Sequence, residues 1–354
     1  MKVLSLELKN FRNLERVEIK PCDGMNVICG ENAQGKTNLL ESVWLFTGAK
    51  SFRGSVDKDF IRFGEKKAEC RLTFLTEGIE KEAEIEIEER RTAFLSGKRM
   101  KTPSELAENF KAIVFSPIDL KLVSEGPNIR RRWIDTAIGL LYPVYIDILK
   151  KYVRAVTQRN RILKDIKNNL PAQDMLDIFE KEIAENGTKI IKYRKRYLEI
   201  ISDFLPDLYE ALSGGKEKLE IGYVKSFEGE NLLEGLKLKR REDMFSGKTS
   251  IGPHRDDIDF KINGVSARTY GSQGQKRSVA LSLKLAEAEV IKQKTGEFPV
   301  CLMDDVMSEL DPKRQNFVLN HIKGMQVFLT CCDPENVKNL TVGKKFTVNK
   351  GAVF

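Results

Sequence analysis

Residues 30–40 read GENAQGKTNLL, and the pattern from Gly30 to Thr37, G-x-x-x-x-G-K-S/T, decides how the rest of the chain is read. Before it stands MNVIC (25–29), a short apolar run of the kind that forms a buried strand. After it, TNLLESVWLF (37–46) carries its apolar residues at helical spacing. A strand, a glycine-rich turn and a helix start bring backbone N–H groups together on phosphate oxygens. In such a loop Gly30, Glu31, Asn32, Ala33, Gln34, Gly35, Lys36 and Thr37 form the cradle. Lys36 offers a point charge to the β- and γ-phosphates, and the Thr37 hydroxyl is a ligand for Mg2+. The stretch predicts a nucleoside triphosphate site.

Composition frames what surrounds it. The chain has 354 residues, 41% of them hydrophobic, enough for two domains or one large domain with an insertion. Lys and Arg number 60 against 52 Asp and Glu, a net charge of +8. The excess is local: residues 121–169 hold eleven basic and four acidic side chains. The opening MKVLSLELKNF alternates like a strand, and no run of 18 apolar residues exists, so a cytoplasmic protein with no membrane span is expected. Cys22, Cys29, Cys70, Cys301, Cys331 and Cys332 form no CxxC pair and read as buried reduced thiols.

The N-terminal third reads mostly as strands, among them residues 3–11, 14–20, 67–78, 82–89 and 91–100. From Ser116 to about Leu212 the pattern is long, charged and helical, interrupted at Pro143 and Pro171. Strand signals return at 218–227 and 258–265, where Asn263-Gly264 is a strong hairpin turn. A long helix over about 272–296, the strand FPVCLMDD (298–305), a helix from Pro312, the strand QVFLT (326–330) and a last strand KKFTVNKGAVF (344–354) complete the chain. The predicted fold class is α/β, with residues 1–115 and 246–354 forming the nucleotide lobe and 116–245 an inserted, mainly helical lobe.

A triphosphate site needs a carboxylate for the metal at the end of a neighbouring apolar strand. Asp304 fills that place after VCLM (300–303). Asp305 is the candidate to orient or deprotonate attacking water, or else it fixes the following loop. Tyr270-Gly-Ser272-Gln273-Gly274-Gln275 opens the long helix. By itself this is an ordinary N-cap sequence.

The order of the motifs makes it informative. Phosphate loop, then Ser272–Gln275, then Asp304-Asp305 followed by Ser308-Glu-Leu-Asp311, resembles an ABC-type P-loop ATPase head. The opening LELKNFRNLERVEI (6–19) and the helical insertion resemble the SMC-like branch, which acts on DNA. Within it, SPIDLKLVSEGPNIRRRWID (116–135), GPHRDD (252–257) and DDVMSELDPKRQNFVL (304–319) resemble the RecF family of recombination proteins, over essentially the whole chain. The resemblance implies ATP and Mg2+ as the bound groups, with Lys36 and Asp305 catalytic and Thr37 and Asp304 on the metal. It implies that Ser272, Gln273, Gly274 and Gln275 cap the γ-phosphate held by a second copy, with Asp311 at the joint, so that ATP drives homodimerisation. It further implies duplex and gapped DNA as partners, with mediator proteins of the RecO and RecR type. Asp305 stands where most ABC heads have glutamate, and no histidine follows QVFLT; both departures point to slow hydrolysis.

The basic segment then has two readings, a solvated helix face or a sequence-neutral contact to duplex phosphates. The second assigns DNA contacts to Lys150, Lys151, Arg154, Arg159, Arg161, Lys164 and Lys167. Arg130 and Arg131 either share that role or hold the lobes together, and Arg255 either reaches phosphate or lies at the joint. The alternatives are a membrane transporter head, which duplex DNA binding would separate from the leading reading, and a small-molecule kinase, which leaves Ser272–Gln275 unexplained.

Overall fold

Apolar residues at consecutive positions mark strands covered on both faces. Four such runs, β3 (Met25–Cys29), β8 (Ala112–Phe115), β12 (Val300–Met303) and β13 (Val327–Cys331), lie in one sheet. With β14 (Lys344–Asn349) and β15 (Ala352–Val353) the order is β15-β14-β3-β13-β12-β8, parallel throughout except for the β14–β15 hairpin. The computed structural model on which this rests describes residues 1–167, 175–332 and 343–354. Ligands of such sheets sit beyond the carboxyl ends of the strands. The ends of β3, β12 and β13 therefore define where a site is built.

A second, antiparallel sheet follows the alternating stretches: β1 (Lys2–Phe11), β2 (Leu14–Ile19), β4 (Ala68–Thr76), β5 (Ile79–Ile87), β6 (Arg91–Leu95) and β7 (Lys98–Arg99), ordered β2-β1-β4-β5-β6-β7. Its buried face packs with α1 (Lys36–Leu45) and one face of the parallel sheet into a single core. On the other face of the parallel sheet lie α8 (Gln273–Thr295) and α9 (Pro312–His321).

The helical lobe comprises α2 (Pro127–Leu141), α3 (Pro143–Lys167), α4 (Leu176–Ile201), α5 (Leu205–Ser213) and α6 (Leu232–Ser246). A small sheet, β11-β10-β9, joins β9 (Leu219–Val224) to β10 (Asp257–Ile262) and β11 (Val265–Ser266), with the short α7 (Ala267–Tyr270) after it. Ile251, Ile258, Phe260 and Ala267 share the core of these helices, so the stretch just past residue 246 packs with the helical lobe before the chain re-enters the ATPase-like lobe. Helix α8 joins the two. Val279, Leu283, Ala286 and Val290 face the helical core, while Leu281, Leu285, Ala288 and Ile291 face the parallel sheet. A helix apolar on both sides is the expected result of such a position.

Three readings change. The last stretch is a hairpin rather than one strand, turning at Lys350 and Gly351, both at positive φ; a lysine in the first turn position gives little turn signal. Strand β8 and helix α6 were not distinguished in the sequence, the first because four apolar residues are too short to show a period. Cys332 is exposed and Cys22 half-buried, whereas the other four thiols are buried.

The largest correction concerns Arg159, which was expected on a DNA-binding face. It is fully buried, donating to Glu180 at 2.9 Å, to Asp243 at 2.7 Å and to Thr249 at 2.9 Å. A charge so enclosed needs compensating partners, and these two carboxylates supply them. Arg130 is likewise buried: its fork bonds Asp257 at 2.7 and 2.9 Å, and it also donates to the Leu122 and Glu125 carbonyls. Arg131 donates to the Asp256 carbonyl at 2.7 Å. These contacts tie Arg130 and Arg131 to Asp257 and Asp256 within the helical lobe rather than between the lobes, while Arg132 reaches the Ser51 carbonyl in the other lobe. Arg159→Ala leaves buried Asp243 without its cationic partner, Glu180 keeping Arg240, and is expected to lower unfolding stability by about 3 kcal/mol. Arg161→Ala, on the exposed side of the same helix, should stay within ~0.5 kcal/mol, both read by urea denaturation.

Candidate nucleotide site

The loop after β3 can approach the C-terminal hairpin only without side chains at its glycines. A Cβ on Gly30 would stand 2.3 Å from the Val348 carbonyl oxygen, and Gly35 has φ 121. Gln34 is clamped from both sides. Its carbonyl accepts from Asn13 Nδ2 at 2.8 Å and from the Gly351 N–H at 3.2 Å, and its Oε1 accepts from the Lys350 N–H at 2.5 Å. Neither Asn13, 21 residues from Gln34, nor the hairpin at 348–351, whose Lys350 is 316 residues from it, forms a local pattern with the loop in the sequence.

At the centre, Lys36 is buried and its Nζ donates to the Gly30 and Glu31 carbonyls at 2.7 and 2.9 Å, inside the loop's own curl. Thr37 Oγ1 lies 2.7 Å from Asp304 Oδ1. The first turn of α1 and the end of β12 thus bring together the two residues expected on the metal. Burial raises the pKa of Asp304, and the neighbouring Asp305 pushes the same way, against hydrogen bonds from Thr37 and Thr330. A buried carboxylate beside a hydroxyl and a second carboxylate is short of positive charge, and it suits a hard, oxygen-preferring cation such as Mg2+.

Asp305 adopts φ 49, an uncommon conformation for a residue with a side chain, and its N–H is held by Thr330 Oγ1 at 2.9 Å. Thr330 also bonds Asp304, so the end of β13 fixes both aspartates. Cys332, just past β13, lies 3.3 Å from Lys36 Nζ and 2.9 Å from Asn32 Oδ1.

The second motif stands at the start of α8. Ser272 and Gln275 form a reciprocal cap: Ser272 Oγ accepts from the Gln275 N–H at 3.2 Å, and Gln275 Oε1 accepts from the Ser272 N–H at 2.7 Å. Gln275 Nε2 donates to Glu217 at 2.7 Å, and Tyr209 donates to the same carboxylate. The side chain of Gln275 is therefore engaged within its own chain and holds the loop, which differs from the outward contact expected of it. Ser272 and Gln273 are exposed. Since Ser272 Oγ is used as an acceptor, its hydroxyl proton is free for an outside acceptor. Among the described residues no hydrogen bond links Ser272 or Gln273 to residues 30–37. Asp311 caps α9 and is exposed.

Of the basic set, Lys150, Lys151, Arg154, Arg161 and Lys164 are exposed on α3; the Lys167 side chain lies outside the described residues. Arg255 is exposed and donates to the Thr249 carbonyl at 3.1 Å, which puts it on the helical lobe.

The chain matches the sequence model of the RecF/RecN/SMC N terminal domain over residues 2–353. It is 40% identical to the DNA replication and repair protein RecF of Agathobacter rectalis, covering 100% of this chain and 99% of that one. It is 36% identical to RecF of Bacillus cereus, covering 99% and 96%. A solved structure of the recombination mediator protein RecF with ATP, described as part of the RecFOR pathway, superposes with a TM-score of 0.90 at 35% identity, covering 100% of this chain and 97% of that one. The head domain of the SMC protein of Pyrococcus furiosus shares the fold at 19% identity and a TM-score of 0.54. No helix among the described residues is long and apolar enough to cross a membrane. With its phosphate loop, paired aspartates and capped helix start joined in one α/β head, the chain belongs to the RecF family.

Proposed function

We propose that this chain is an ATP-gated DNA-binding protein of recombinational repair. Residues 30–37 hold the triphosphate, and a second copy closes over it head to head on duplex DNA near a single-strand gap, where the pair helps place a recombinase. The observation that carries this reading is the 2.7 Å meeting of Thr37 with Asp304 at the mouth of the phosphate loop. Partners of the RecO and RecR type fit the reading, as does a cytoplasmic location. The RecF relatives leave the transporter-head alternative without support.

The chemistry falls to few residues. Lys36 exchanges its two carbonyl partners for phosphate oxygens. Thr37 and Asp304 would hold magnesium, which when bound would offset negative charge on the phosphate oxygens. Asp305 orients the attacking water and takes its proton. Its carboxylate is one methylene shorter than glutamate, consistent with slow turnover. Ser272 donates its free hydroxyl proton to the γ-phosphate of the opposite copy, assisted by N–H groups at the start of α8. Loss of that phosphate removes charge-assisted hydrogen bonds from both composite sites, and the pair loosens.

On α3, Lys150, Arg154, Arg161 and Lys164 fall along one helical stripe about 21 Å long, with Lys151 at its side. Such a row suits phosphates of a duplex, and it carries no base recognition.

Three outcomes test the reading. In sedimentation with ATP, Lys36→Ala loses nucleotide binding, whereas Ser272→Arg binds ATP yet stays monomeric; normal pairing by Ser272→Arg would sink the composite site. Asp304→Asn abolishes the magnesium dependence of ATP binding. The same variant raises the stability of the nucleotide-free chain above the pKa of Asp304, because a folded-state pKa raised by burial means that ionisation opposes folding there. With five phosphate contacts, log affinity for duplex DNA falls with log salt at a slope of about −4 to −5, and each alanine on the stripe reduces that slope by about 0.9.

A further inference from the structure

Arg314, in the first turn of α9, turns back across the start of α8. Its Nη2 donates to the Gly274 carbonyl at 2.9 Å and its Nε to Ser278 Oγ at 3.1 Å, while Nη1 pairs with the Asp311 carboxylate. The Arg314 N–H also donates to Asp311, at 3.1 Å. One guanidinium thereby touches both the helix start that carries Ser272 and the loop that ends at Asp311. Gly274 leaves the room for it: a Cβ there would stand 3.0 Å from Nη2. Two further braces run alongside. Arg277 donates to the Glu309 carbonyl at 2.8 Å, and Gln315 Nε2 donates to the Met307 and Leu310 carbonyls at 2.8 and 3.2 Å.

We propose that Arg314 is a positioning residue that locks Ser272 and Asp311 into one rigid unit, so that an opposing copy meets both together. This rests on the two-copy reading above. The planar fork reaches three acceptors on two segments at once, which a lysine cannot reproduce. Three of its donors bind the two segments within the protomer, so Arg314 acts on the neighbour's nucleotide through the loop it holds. With the two segments fixed beforehand, less freedom is lost when the copies associate.

The test mixes two crippled chains. One carries Ser272→Arg and supplies only the phosphate loop; the other carries Lys36→Ala and supplies only the start of α8. With ATP they form a heterodimer with one competent site, measured by sedimentation. Arg314→Ala on the Lys36→Ala chain is expected to weaken this association roughly tenfold, and Arg314→Lys to recover only part of it. Arg314→Ala on the Ser272→Arg chain leaves the association within about twofold, and this arrangement also reports on folding, since that chain still binds ATP. Equal weakening in both placements, or none in either, overturns the proposal. If the parent pair fails to associate with ATP, the two-copy reading itself falls, and Arg314 with it.

Discussion

A hydroxyl and a carboxylate 2.7 Å apart, Thr37 and Asp304, hold together what the chain supplies from opposite ends. The contact exists because β3 and β12 flank β13 in a parallel sheet, so their carboxyl ends open on the same side. Everything at the site is arranged around that opening. Lys36 is curled inward on its own loop, Thr330 grips both aspartates, and Asp304 is left with a charge that burial disfavours. Both aspartates are held by contacts from within the chain, and a magnesium ion would supply the positive charge that buried Asp304 lacks.

Helix α8 extends this arrangement outward. Its N-terminus carries Ser272, one face lies on the parallel sheet, and the opposite face is part of the helical core. Gln275, Glu217 and Tyr209 add a polar chain from the helix start to α5. Packed side chains and three consecutive polar groups thus connect the helical lobe physically to the helix start that carries Ser272.

Much of this was legible in the sequence because the signals are local. The phosphate loop occupies eight consecutive residues between a buried strand and a helix, and β3, β12 and β13 read as short, largely apolar runs. Asp304 was found by its place at a strand end, and Asn263-Gly264 by its turn chemistry. What stayed hidden depends on distant partners. Arg159 looks like its exposed neighbours until Glu180 and Asp243 fold around it, since helical periodicity places a residue on a face without saying what covers that face. Gln34's clamp and Arg314's brace join segments that share no local pattern. The closing hairpin was missed because lysine occupies a turn position that usually signals itself with asparagine or glycine.

The grip on Gln34 from Asn13 and from Lys350 and Gly351 also orders events in time. The glycine-rich turn is translated early, but the strands beside its root, β13 and β14, come from the end of the chain. Until those late residues emerge and dock, the cradle has neither its floor nor its clasp. The cradle therefore depends on strands translated after α8, whereas the helical core draws on nothing beyond Val290 of that helix among the described residues.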